Sequence, residues 1–155
     1  MILSIARGWC APVFYLMMGI VPVLAQESVP SQTEGGTVQI VRTPHDTIVV
    51  ISGVAAVDDK GRLVATGDFT GQLSRALENV RRLALRTGVL PSQIVTLTLY
   101  STEKNLPENL EKIARQEFTD WNPSISFVES KQLRIPGALL EIEAVAVAKE
   151  LKRRR

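Results

Sequence analysis

Between Arg7 and Glu27 the chain carries no charge, and from Trp9 to Ala25 seventeen mostly apolar residues follow one another. A run like this does not suit the surface of a small soluble domain, so it divides the sequence before any element is assigned. Arg7 is the one positive charge ahead of it, and Val23-Leu24-Ala25 offers residues that a signal peptidase accepts. This is the three-part pattern of a secretory signal, with a weak basic region. A membrane anchor is the competing reading. Against it, seventeen residues is the short limit for a spanning helix, and Pro12 and Pro22 interrupt the run. Cys10 follows Arg-Gly-Trp, not the small-residue box of a lipoprotein.

Removing residues 1–25 leaves 130 of the 155 residues, enough for one ordinary domain. Much of the positive mean hydropathy of +0.11 leaves with them, as do Cys10 and all three methionines. The full chain carries 18 Lys+Arg against 16 Asp+Glu; without Arg7 the balance is 17 against 16. Charges so nearly balanced give no electrostatic reason to expect nucleic acid as a partner. A remainder without thiols excludes disulfide frameworks, cysteine-built zinc sites and cysteine nucleophiles. His45 stands alone in a turn, and Asp58-Asp59 is followed by no further carboxylates at ligand spacing, so neither a metal nor a cofactor is expected. The lack of Cys and Met suits an oxidising compartment. The expected location is therefore exported, periplasmic or secreted, without stable membrane association once the signal is cleaved.

The remainder divides into a polar lead-in at 26–36, a domain at 37–148 and a basic tail at 149–155, the last read as a solvated terminus. Strands are predicted at 37–42, 47–52 and 62–65, the last after a turn at Asp58-Asp59-Lys60-Gly61. Asp68 or Thr70 caps a predicted helix that runs to Thr87 and closes at Gly88. Its stripe is Leu73, Ala76, Leu77, Val80, Leu83 and Ala84, at helical spacing. Its charged residues form a solvated face with local pairs such as Glu78–Arg82. The run 94–100 alternates as a half-buried strand. A second helix is predicted over 107–121, then strands at 124–128 and 139–148. The order β-β-β-α-β-α-β-β predicts an α+β domain, one mixed sheet with two helices on one face. The other face carries Leu139, Val145 and Val147 beside Glu141 and Glu143, and an uncovered apolar face of this kind predicts an oligomer.

Several segments, in order, resemble the Rid family of RidA/YjgF-like reactive-intermediate deaminases. Ser52-Gly53 follows a strand as the family's Ser-Gly-Gln does. Gln72 and Arg75-Ala76-Leu77-Glu78-Asn79-Val80 look like its helix segment. Gly88-Val89-Leu90 and the strand 94–100 look like its next two pieces. Gly137-Ala138-Leu139-Leu140-Glu141-Ile142-Glu143-Ala144 is similar to its closing Gly-Ala-x-x-Glu-Ile-Glu-Ala. The resemblance spans about 37–148. It implies a chorismate-mutase-like fold and a homotrimer with small-molecule clefts between subunits. It also implies hydrolysis of 2-imino or enamino acids to keto acids and ammonia, with an arginine on the substrate carboxylate.

Carried over residue by residue, the resemblance makes Glu141 the candidate catalytic residue. It places Ser52, Gly53, Ile125, Ser126, Phe127, Arg134 and Glu141 at the ligand site. The sequence departs from the family at two positions. The arginine of the Pro-x-Arg-Ser-Cys-Val-Glu motif is Ile125 in Pro123–Glu129, and a family tyrosine is Thr37. A guanidinium–carboxylate contact contributes about 1.5–3 kcal/mol, so its loss argues against the family's usual substrates. Arg134, nine residues further on, is the one local substitute. Three readings follow: an exported trimer that binds a small molecule without the usual reaction, a hydrolytic deaminase with an altered substrate that uses Glu141, and a structural trimer.

Overall fold

The computed structural model describes residues 26–31, 35–104, 106, 108, 110–116 and 122–149. The expected signal at 1–25, and Pro107, Phe118, Trp121 and the tail beyond Lys149, lie outside the described residues. Six strands, β1 (Gln26–Ser31), β2 (Gly36–Arg42), β3 (Asp46–Val54), β4 (Ile94–Ser101), β5 (Ser124–Glu129) and β6 (Leu140–Lys149), form one sheet in the order β1-β2-β3-β6-β4-β5. Among the described residues, only β4 and β5 pair in parallel, and every other neighbouring pair is antiparallel. Helix α1 (Phe69–Arg86) connects β3 to β4, and α2 (Leu110–Gln116) connects β4 to β5.

Chain handedness explains the layering. β3, β4 and β5 all run antiparallel to β6 or parallel to a strand that does, so they share one direction. Both helical crossovers therefore step the same way along the sheet, and right-handed crossovers put both helices on one face. Under that face lie Val49, Ile51, Leu97, Leu99, Leu140, Ile142, Ala144 and Ala146, packed against Leu73, Leu77, Val80 and Leu83 of α1. This is the predicted α+β architecture.

Helix α1 matches its sequence signals at both ends. The Asp68 side chain accepts the Gly71 N–H and caps the start. At the end, the N–H of Gly88 (φ +82°) donates to Leu85 and that of Val89 donates to Ala84, the Schellman pattern. Glu78 bonds Arg75, while Arg82 reaches Asp59 in the 58–61 turn.

The strand string is as predicted, but its members differ. The lead-in at 26–36 contains β1, which pairs with β2 from Gln26↔Val41 to Ser31↔Gly36. The expected strand at 62–65 is reduced to a single bridge, Val57↔Leu63. There the Asp58 carboxylate accepts the N–H groups of Lys60 and Arg62 and the Arg62 side chain, closing a turn instead of extending a ladder. The described part of α2 is shorter than the 107–121 expected.

The turn has a pH signature. The Arg62 side chain and backbone hold the Asp58 carboxyl down from 3.8 to about 2. A depressed carboxyl stabilises the fold fully above its unfolded value, and that contribution is lost as pH falls through the folded value. We predict that Asp58→Asn flattens the fall in urea-denaturation midpoint between pH 3.8 and about 2. An unchanged acid profile contradicts the assignment.

Candidate functional site

Side chains on β6 alternate, so Leu140 and Ile142 enter the core while Glu141, Glu143, Val145 and Val147 face the open side. Glu141 is nevertheless only 9% exposed. It is enclosed by the loop that returns from edge strand β5 to β6. In that loop the backbone N–H of Arg134 donates to Glu141 Oε1 at 2.9 Å, and that of Ile135 donates to the same oxygen at 3.3 Å. Two N–H donors on one oxygen fix the orientation of the carboxylate.

The second carboxylate oxygen points elsewhere. A β-bulge between Ile51 and Val54 interrupts the β3–β6 ladder, and Gly53 occupies it with φ +66°. A Cβ built on Gly53 would lie 3.8 Å from Glu141 Oε2, 3.6 Å from Arg134 Nε and 3.8 Å from Arg134 Nη2. Arg134 Nη2 donates to the Gly53 carbonyl at 2.9 Å, which anchors an otherwise exposed side chain. The bulge glycine thus has a guanidinium and a carboxylate over the same spot. Beside it Ser52 Oγ donates to Glu143 Oε2 at 3.3 Å.

Of the expected ligand-site residues, Ser52, Gly53, Arg134 and Glu141 come together within one protomer. The others do not join them there. Parallel pairing matches Ile125 with Leu97 and Phe127 with Leu99, so both lie on the helix side of β5. Ile125 packs against the core, which is why an apolar residue suits this position. Phe127, at the edge, stays 40% exposed. Ser126 pairs with Thr98 and faces the open side, in line with Glu143 and not with Glu141. Thr37 is exposed opposite Ser52.

Two buried polar residues of α1 hold the loops around the site, a role the sequence reading did not assign. The Gln72 side chain accepts the Leu139 N–H at 2.8 Å and donates to the carbonyls of Ala65 and Gly137. Asn79 donates to the carbonyls of Ala55 and Val57, and Arg75 also donates to Val57. Gln72 and Asn79 stand seven positions apart inside an apolar stripe. Polar residues on a buried helical face were the available signal, since such groups are found with partners.

Among the described residues no group of three His, Cys, Asp or Glu is placed to hold a metal ion. A depression lined by Glu108, Glu111, Lys112 and Arg115 lies along charged α2, on the sheet face opposite Glu141. We predict that Gln72→Ala costs about 2–4 kcal/mol, because the half-buried Leu139 N–H loses its acceptor and the buried Gln72 side chain leaves a small cavity. Chemical denaturation checks this. A loss within experimental error would mean that Gln72 does not hold the loop.

Comparison with known proteins agrees with this geometry. The model of the family described as Endoribonuclease L-PSP matches residues 30–148. A RutC family protein of Pyrococcus horikoshii is 26% identical over 96 residues, which cover 62% of this chain and 75% of that one. The crystal structure of the Rid-family protein YyfA of Yersinia pestis superposes with a TM-score of 0.66 at 25% identity, covering 80% of this chain and all of that one. That of Escherichia coli TdcF, solved with bound serine, gives 0.63 at 26%, covering 77% and 97%. The chain belongs to the Endoribonuclease L-PSP family, the family of the RidA and YjgF proteins.

Proposed function

We propose that this chain is an exported Rid-family protein that binds a small zwitterion, one carrying a carboxylate and a neighbouring nitrogen, in clefts completed by further copies of itself. The observation that carries the reading is the pairing over Gly53 of the Arg134 guanidinium with Glu141 Oε2. Oε1 is already engaged by two backbone N–H groups, so Oε2 is the atom that meets a ligand N–H. Arg134 uses Nη2 on Gly53, and its remaining N–H groups face a ligand carboxylate. A cation and an anion so close together suit a zwitterion better than a phosphate backbone, which Glu141 repels. The serine in the related E. coli structure is a molecule of this class. The arginine function is thereby moved from the Ile125 position to the loop.

The open face supports assembly, with a homotrimer as the proposed state. Val41, Ile48, Val50, Val145 and Val147 are side by side in register and only half-buried in one protomer. Covering such a face is a common reason for oligomers. Export is supported by the uncharged apolar run at 9–25 and by the lack of Cys and Met after it.

A second reading is favoured by Glu141 itself. A carboxylate whose free oxygen faces a bound imine or enamine is placed to take a proton from water as the water attacks the imine carbon. The products are the carbonyl compound and ammonia. We predict that serine binds by calorimetry and that Arg134→Ala weakens binding about tenfold or more, the loss of one charge-assisted contact. Affinity unchanged in that variant overturns the reading. We further predict no acceleration of ammonia release from freshly generated 2-iminobutyrate. Acceleration that disappears in Glu141→Gln would establish the deaminase instead. Light scattering should give a trimer mass, and a monomer at micromolar concentration would contradict shared clefts.

A further inference from the structure

We propose that Tyr100 sets the ligand selectivity of this site, its phenol receiving a hydrogen-bonding group on the ligand's side chain; the inference rests on the zwitterion reading above. Strand register carries it. Tyr100 is the direct partner of Glu141 across β4 and β6, and of Val128 across β4 and β5. Directly paired residues project to the same face. Glu141, Tyr100 and Val128 therefore form one row on the open face, with Gly53 and the Arg134 guanidinium at its β3 end.

Adjacent strands lie about 4.8 Å apart, so the row runs on the order of 10 Å from guanidinium to phenol. A small amino acid spans much of that distance. With its carboxylate at Arg134 and its nitrogen at Glu141 Oε2, its side chain is directed toward Tyr100 and Val128. Val128 offers only hydrocarbon, and 40% of it is exposed. The Tyr100 ring is half-buried, and among the described residues its hydroxyl has no hydrogen-bond partner. A phenol in that position usually finds one, and here water or a ligand supplies it. Beyond Glu141 and Arg134, the hydroxyl is thus the polar group this row offers to distinguish one ligand side chain from another.

The test compares serine with alanine, which differ by one hydroxyl, in the wild type and in Tyr100→Phe, which keeps the ring. The wild type should prefer serine by about 2–10-fold, the range of one neutral hydrogen bond. Tyr100→Phe should remove that preference while leaving alanine affinity within about twofold, since no alanine contact is lost. If serine binding depends on Arg134 and Glu141 but the preference is the same in Tyr100→Phe, the assignment of Tyr100 is wrong and the site stands. If neither amino acid binds, or if binding is indifferent to Arg134→Ala and Glu141→Gln, the zwitterion site fails and this inference fails with it.

Discussion

One carboxylate oxygen, Glu141 Oε1, accepts the backbone N–H groups of Arg134 and Ile135, and the rest of the site depends on that contact. It joins the start of β6 to the loop that returns from the sheet edge. It fixes the backbone of the loop beside Glu141, while the Arg134 side chain is held to Gly53 by its own bond to the Gly53 carbonyl. Hydrogen bonds to a charged acceptor contribute about 1.5–3 kcal/mol each, comparable to the roughly 1.5–2 kcal/mol of side-chain entropy that ordering an arginine costs. One glutamate therefore anchors the loop through one oxygen and, in the proposed function, meets the ligand through the other.

The opposite side of the domain supplies the support. Helix α1 is an apolar wedge, but Gln72, Arg75 and Asn79 project from it into loops instead of core. They hold the segments 55–57, 65 and 137–139, which flank the bulge at Gly53 and the start of β6. The polar members of the helix motif are thus tied to the geometry of the site through backbone groups. Buried amides in this role are specific because each leaves a costly orphan when removed.

What was legible in the sequence follows from how strong each local signal is. Asp68 and Gly88 mark the ends of α1 because a cap and a left-handed turn are residue-specific needs. The alternation in β6 revealed which face Glu141 takes. β1 was not legible: its sequence, QESVPS, is polar, and the pairing with β2 is made by backbone groups that leave no pattern in side chains. The 62–65 segment misled because its residues suit a strand, while Asp58 binds Arg62 and turns the chain. The Rid resemblance singled out Glu141, Ser52 and Gly53, which the fold brings together, but not the face of Ile125. That face is set by a parallel register with Leu97, a long-range fact. Arg134 belongs to an aperiodic loop, and only its contact with the Gly53 carbonyl reveals its place.

The proposed function keeps the family fold and its carboxylate while moving the guanidinium to a new point of attachment on the loop. A loop-borne arginine bonded to a bulge carbonyl approaches the ligand from above the sheet. In the proposed function it would select for molecules short enough to reach from it to β6. The direct measurement is a crystal structure of the protein grown with serine. The account predicts the amino acid lying over Gly53, with its carboxylate on Arg134 and its ammonium on Glu141 Oε2. Serine seated elsewhere, or turned so that its carboxylate avoids Arg134, would contradict it.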